Sequence, residues 1–144
     1  MVLGVTTNEN LQDIAVKLKI GIVNIIPKEY INNKDGQYII NMDKKTGSGT
    51  HWVAYIKKKD IIYYFDSFGI PPLIEILKLN HTKIYYNEYN IQDIKDNSCG
   101  YYCLYFLYWM KKYKNDYKKM LSLFVNNTTN NKEIINRFFN KYII

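Results

Sequence analysis

Asn97-Ser98-Cys99-Gly100-Tyr101-Tyr102-Cys103-Leu104-Tyr105-Phe106-Leu107-Tyr108-Trp109-Met110-Lys111-Lys112 reads as a helix over 99–112 with hardly a polar face. A helix that is apolar all round belongs inside a protein, so the remaining elements must wrap it. It is entered from a polar loop, Tyr89–Ser98, whose last residues, Asn97 and Ser98, are good N-cap types. Cys99 then falls in the first helical turn, where unpaired amides and the positive end of the helix dipole favour a thiolate. Gly100 removes a side chain where a substrate backbone could approach. Cys103, one turn further on, fits a small core residue, a reading that suits Cys99 poorly.

Working outward, Asn8 or Thr7 can cap a first helix in which Leu11, Ile14, Ala15 and Leu18 keep helical spacing, with Gly21 ending it. A connecting segment with Pro27 and Asn32-Asn33 leads to Gln37–Met42, a short apolar run suited to a buried strand. Thr46–Thr50 reads as a flexible turn. His51–Ile56 and Ile61–Phe65 read as strands joined by Lys57–Asp60, hence a hairpin. Leu73–Leu79 is expected as a short helix, with Pro72 acceptable in its first turn, and Thr82–Tyr86 as another strand. Helices over Tyr117–Val125 and Lys132–Tyr142 flank an Asn/Thr-rich turn at Asn126–Asn130. The expectation is one α+β domain over 1–144, with a central mixed or antiparallel sheet packed against the buried helix that carries the nucleophile.

Composition supports a packed core. Of 144 residues, 47% are hydrophobic, well above the disordered range. Fifteen tyrosines are expected mostly half-buried, rings packed and hydroxyls at the surface. The formal charge is +7, from 20 basic and 13 acidic residues, which favours contact with phosphates or acidic surfaces. Lys57, Lys58 and Lys59 form one concentration of charge; Lys111, Lys112, Lys114, Lys118 and Lys119 form the other. A plain solvated surface accounts for these lysines equally well.

Two cysteines four apart in one helix are badly placed for a disulfide with each other, so an oxidising compartment is not indicated. No apolar run reaches the roughly 18 residues of a membrane span, and no leader opens the chain. The expectation is a monomer acting inside a cell or virion, neither secreted nor membrane-bound.

A cysteine nucleophile needs a base, a group to orient that base, and donors for the developing oxyanion. Of two histidines, His81 sits in a polar turn and reads as surface, leaving His51 as base. Asp66 ends the strand paired with that of His51, so the open end of the hairpin brings its carboxylate near the imidazole. Gln92, seven residues before Cys99, has an amide able to curl back over the sulfur and serve the oxyanion together with the Cys99 N–H. Taken singly, each has a plain reading: a structural strand histidine, a loop-capping aspartate, an exposed loop glutamine.

The runs Gly49-Thr50-His51-Trp52-Val53-Ala54-Tyr55 and Tyr64-Phe65-Asp66-Ser67-Phe68-Gly69, with Gln92 and Cys99-Gly100-Tyr101-Tyr102-Cys103, resemble the adenovirus protease (adenain) family, which shares a clan with the SUMO-specific proteases. The likeness covers about residues 8–110. It implies the papain-like adenain/SUMO-protease core, a triad of His51, Asp66 and Cys99, and Gln92 in the oxyanion hole, with no metal and no cofactor required for the chemistry. It also implies cleavage of viral capsid or virion precursor proteins after glycine, with DNA as a possible activator. The acid here is Asp66 where adenovirus enzymes carry Glu. Asn80–Gln92 has no cysteine to receive the disulfide-linked activating peptide of adenoviruses. So short a chain suits a virophage, a Maverick-type element or another DNA virus. The competing expectations are an isopeptidase acting on ubiquitin-like modifiers and a non-enzymatic, basic nucleic-acid-binding protein. A zinc site of two Cys and two His lacks the required ligand spacing.

Overall fold

The computed structural model describes residues 3–42 and 51–143. Helix α1, Asn8–Leu18, opens on a capping box in which the Thr7 side chain and the Asn10 side chain exchange hydrogen bonds with each other's backbone N–H. It buries Leu11, Ile14, Ala15 and Leu18, the stripe read from the sequence. It ends at Lys19, held in the left-handed conformation at φ 56°, two residues earlier than Gly21 suggested. The next segment is not merely a connection: Val23–Pro27 is strand β1. Pro27 concealed it, yet a proline is tolerated at the end of an edge strand, where no ladder donor is needed.

Strands β2 (Gly36–Asn41), β3 (Trp52–Lys58), β4 (Ile61–Phe65) and β5 (Lys83–Tyr85) complete a mixed sheet in the order β1-β2-β3-β4-β5. The outer pairs β1–β2 and β4–β5 are parallel, and the two inner pairs antiparallel. The expected hairpin is present, with Lys58 opposite Ile61 and Ala54 opposite Phe65. The turn expected at Thr46–Thr50 lies outside the described residues.

Both faces of the sheet are covered, so its central strands read as continuous apolar runs. Tyr38, Ile40, Val53, Tyr55, Ile62 and Tyr64 point to one side, under the short helix α2 (Ile74–Leu77) and Leu79. Ile39, Trp52, Ala54 and Phe65 point to the other, onto helix α3 (Cys99–Lys112). There Phe65 stacks on Phe106 with ring centroids 5.0 Å apart. Helices α1, α4 (Tyr117–Leu121) and α5 (Thr128–Ile143) enclose α3 from behind. That enclosure is why α3 carries apolar residues all round. The turn expected at Asn126–Asn130 is shorter than that, because Asn127 caps α5 by accepting from the Asn130 N–H at 3.0 Å and the helix starts at Thr128.

Several tyrosines are buried more deeply than expected, while Tyr30, Tyr86, Tyr89 and Tyr142 are exposed. Tyr55, Tyr64 and Tyr102 are completely enclosed, and the Tyr117 hydroxyl donates to the Tyr64 carbonyl, bolting α4 to β4.

Candidate active site

His51 immediately precedes β3 and Asp66 immediately follows β4, so the antiparallel pairing brings the two to the same end of the hairpin. His51 Nε2 lies 2.9 Å from Asp66 Oδ1. The carboxylate is 1% exposed and the imidazole 18%. Burial works against a charged ring, but the hydrogen bonds to Asp66 and Cys99, and the charges of both, outweigh it. They raise the His51 pKa to about 9. The charged form of the ring is therefore favoured beside the Asp66 carboxylate.

Cys99 is the first residue of α3 and is only 2% exposed. Its sulfur accepts the backbone N–H of Trp52 at 3.3 Å. The residue next to His51, the first of β3, thus also supplies a donor to the sulfur, a contact no side-chain pattern announces. Cys103, one turn deeper, is fully buried; burial first, and the charges of Cys99 and Asp66 next, push its thiol well above the ordinary range.

Every residue of the turn Asp66-Ser67-Phe68-Gly69 has a distinct task. Asp66 Oδ1 also accepts the Phe68 N–H at 2.9 Å, which fixes the carboxylate. Its second oxygen is buried without a partner among the described residues, an arrangement favourable only while a cation stands beside it. Phe68 stacks on the His51 ring, centroids 4.4 Å apart. Ser67 donates its hydroxyl to Gln92 Oε1 at 2.5 Å. Gly69 closes the turn at φ +72°, and a Cβ there would stand 2.5 Å from the Tyr89 backbone carbonyl carbon.

Gln92 is completely buried, not the exposed loop glutamine of the plain reading. Besides the Ser67 bond, its Nε2 donates to the Asp96 carbonyl at 2.8 Å, leaving the second N–H of the amide for another acceptor. Gln92 is thereby tied both to the Asp66 turn and to the segment that leads into Cys99. Asn87, which the sequence reading missed, clamps the Asp66 backbone: its Oδ1 accepts from the Asp66 N–H and its Nδ2 donates to the Asp66 carbonyl. One asparagine among many offers no pattern by which to find it.

Two local expectations are corrected. Gly100 faces the protein and not a substrate, since a Cβ there would meet Thr6 Oγ1 at 2.2 Å and Leu11 Cδ2 at 2.9 Å. Its smallness lets α3 and the start of α1 approach. Ser98 occupies the N-cap position but makes no side-chain capping bond, for its hydroxyl is engaged elsewhere. His81 Nδ1 lies 2.7 Å from the Leu79 carbonyl.

Beside Phe68 and Gln92 lies a cleft of about 460 Å³, edged by Ile70, Asn90, Asp93 and Ile94. Two larger clefts, about 600 and 560 Å³, lie at the far ends of β3 and α3. They bring together lysines from both charged stretches, Lys57 and Lys58 with Lys111, Lys112 and Lys114, and add Lys17 and Lys19. Lys57 is itself 5% exposed and 3.7 Å from Asp35, so it belongs to the packing and not to a solvated face.

Comparison with protein-family models finds no match, and neither does comparison with curated protein sequences. Among solved structures, two crystal structures of the ASFV pS273R protease are similar. The selenomethionine form matches with a TM-score of 0.52 at 21% identity, covering 90% of this chain and 65% of that one. The other gives 0.55 at 17% identity, covering 90% and 64%. This chain therefore spans a little under two thirds of the length of the proteins it matches. The likeness supports the wider fold group and not the adenovirus type in particular. On that ground the chain, with its five-stranded mixed sheet and helices, has an α+β fold like that of the ASFV pS273R protease.

Proposed function

We propose that the chain is a cysteine endopeptidase that cleaves viral capsid or virion precursor proteins after glycine, inside the infected cell or the particle. The observation that carries this reading is the convergence on one sulfur. The His51 imidazolium, hydrogen-bonded to Asp66 at 2.9 Å, and the Trp52 N–H both serve Cys99 at the start of a helix. An unused core cysteine has no need of a buried His–Asp pair. The similar solved structures, both of one protease, point the same way.

In this mechanism the Cys99 thiolate attacks the scissile carbonyl carbon, and the C=O π pair moves to oxygen. The free N–H of Gln92 and the Cys99 backbone N–H receive that oxyanion. As the C–N bond breaks, the His51 imidazolium gives its proton to the departing amine. The neutral imidazole next takes a proton from water, whose oxygen attacks the thioester. Collapse expels the Cys99 thiolate and frees the acid. Asp66 orients the ring and stabilises its cation throughout. The near-complete burial of Cys99 and the Phe68 ring over His51 leave little room at the reacting carbonyl, which favours glycine there.

The lysine-bearing clefts at the opposite end support DNA as an activator, and the chemistry itself requires no cofactor. A glycine-terminated peptide electrophile tests the reading, compared across wild type, Cys99→Ala and His51→Ala, with and without DNA. Fast labelling lost in both variants is expected, with acceleration by DNA. Labelling no faster than that of free cysteine and unchanged by His51→Ala would favour a basic binding protein instead. Preference for ubiquitin-like fusions over capsid-precursor peptides would favour an isopeptidase.

A further inference from the structure

Helix α5 lies beyond residues 8–110, the stretch whose sequence resembles the adenovirus proteases, yet it grips the loop that precedes Cys99 at both ends. At the start, the completely buried Asn131 donates through Nδ2 to the Ile91 carbonyl at 3.0 Å, and to Val125 at 2.8 Å. At the end, Lys132 Nζ reaches Ser98 Oγ at 2.6 Å, Asp96 Oδ1 at 3.0 Å and the Leu3 carbonyl at 3.3 Å. An ammonium has three hydrogens, and all three are accounted for. We infer that Lys132 is a positioning residue for the oxyanion donors, acting through Ser98 and Asp96; this rests on the protease reading above.

One backbone torsion aims the Cys99 amide. The Cys99 N–H belongs to the Ser98–Cys99 peptide, so the ψ of Ser98 sets its direction. A serine at an N-cap normally adopts extended backbone, with ψ above roughly +100°, and its hydroxyl accepts a first-turn amide. Ser98 does neither: it sits at φ −95°, ψ 26° and caps nothing. Its hydroxyl instead donates to Asp96 Oδ1 at 2.8 Å while accepting from Lys132, and its N–H donates to the same carboxylate oxygen at 3.0 Å. The Lys132–Asp96–Ser98 cluster therefore keeps Ser98 from relaxing into an ordinary N-cap, which would swing the Cys99 amide through a large angle. The same Asp96 accepts Gln92 Nε2 on its carbonyl at 2.8 Å. Both proposed oxyanion donors thus hang on the segment that Lys132 clasps. The Trp52 N–H that the sulfur accepts and the His51 imidazole come instead from the first residue of β3 and the residue before it.

That separation supplies the test. Alkylation of Cys99 by iodoacetamide forms no oxyanion, whereas hydrolysis of an acylglycine p-nitrophenyl ester does. Lys132→Met is expected to lower kcat for the ester by about 10- to 100-fold, less than the roughly 10²- to 10³-fold for removing an oxyanion donor outright, because the donors are displaced and not lost. KM and the alkylation rate should stay within about twofold. Lys132→Arg, which keeps the charge and donors, should recover most of kcat. Removing the competing hydroxyl in the double variant Lys132→Met/Ser98→Ala should raise kcat above that of Lys132→Met alone. Thermal melts and titration of reactive thiol normalise each variant to folded protein. Lys132→Met with wild-type kcat, or with alkylation and hydrolysis lost in parallel, would overturn the assignment, as would a double variant no better than the single one. A wild-type protein lacking His51-dependent thiol reactivity would instead sink the protease reading, and this inference with it.

Discussion

The first and second turns of α3 each present a cysteine, and the two differ less in burial than in company. Cys99 is 2% exposed and Cys103 0%, so exposure does not distinguish the proposed nucleophile from the core. What distinguishes them is which neighbouring elements end beside them. The first turn meets the end of β3, with its His51 ring and Trp52 N–H, and the turn after β4, with Asp66. The second turn meets apolar packing, and its thiol is pushed up so that it stays neutral. A sulfur 5–6 Å further along the helix, one turn away, is thereby a small hydrophobe instead of a nucleophile.

The sharpest way to break this contrast is to exchange the two losses. Cys99→Ala should abolish both peptide-electrophile labelling and hydrolysis, read by mass spectrometry, while the protein remains folded. Asp66→Asn should cost about 10²- to 10⁴-fold in kcat/KM, the usual range for disabling general acid–base catalysis, with binding of a non-cleavable peptide preserved.

A pH profile should separate the turns next. The His51 pKa is raised to about 9, so the imidazolium persists from neutrality up to that pH, and hydrolysis should fall on a limb near pH 9. The same sign governs stability. The contribution of the charged pair is complete below the unfolded histidine value of about 6.5 and is lost as pH rises through about 9. Asp66→Asn should move the limb of the residual activity to lower pH; a limb that stays near 9 in that variant would contradict the assignment of Asp66 as the main hydrogen-bonding support of the cation.

Smaller effects test how the first turn is seated. Gly69→Ala should destabilise by about 1–3 kcal/mol, because it combines a left-handed residue with a fixed backbone neighbour. Gly100→Ala should cost about 1–3 kcal/mol by overpacking, and Thr6→Ala should recover part of that, since the nearest obstacle is the Thr6 side chain. Smallest of all, Cys103→Ala should leave the labelling rate unchanged and lower stability by about 1–2 kcal/mol in thermal melts.

Much of this molecule is legible along the chain. The period of α1, the all-round apolar character of α3 and the hairpin of β3 and β4 follow from local patterning, because each element buries its own stripe or run. His51, Asp66, Gln92 and Cys99 were named from residue type and order, and the structure joins His51 to Asp66 and ties Gln92 to the loops on either side. β1 was hidden because Pro27 looks like a break when its edge position is unknown. The length of the turn before α5 was misjudged because a run of Asn and Thr reads the same whether it caps a helix or only bends the chain. Gly100 illustrates the same limit: its need for space is plain in the sequence, but whether a substrate or Thr6 fills that space is not.

Sequence alone determined which chemistry is available, because a thiol, an imidazole and a carboxylate are properties of residue types. It also determined the fold class, because periodicity is local. Tertiary structure alone decided that the Trp52 N–H meets the sulfur, that Asn87 clamps Asp66 and that Lys132 reaches Ser98 across 34 positions. Those contacts join residues from elements distant in sequence, and their geometry depends on packing angles that no local propensity encodes.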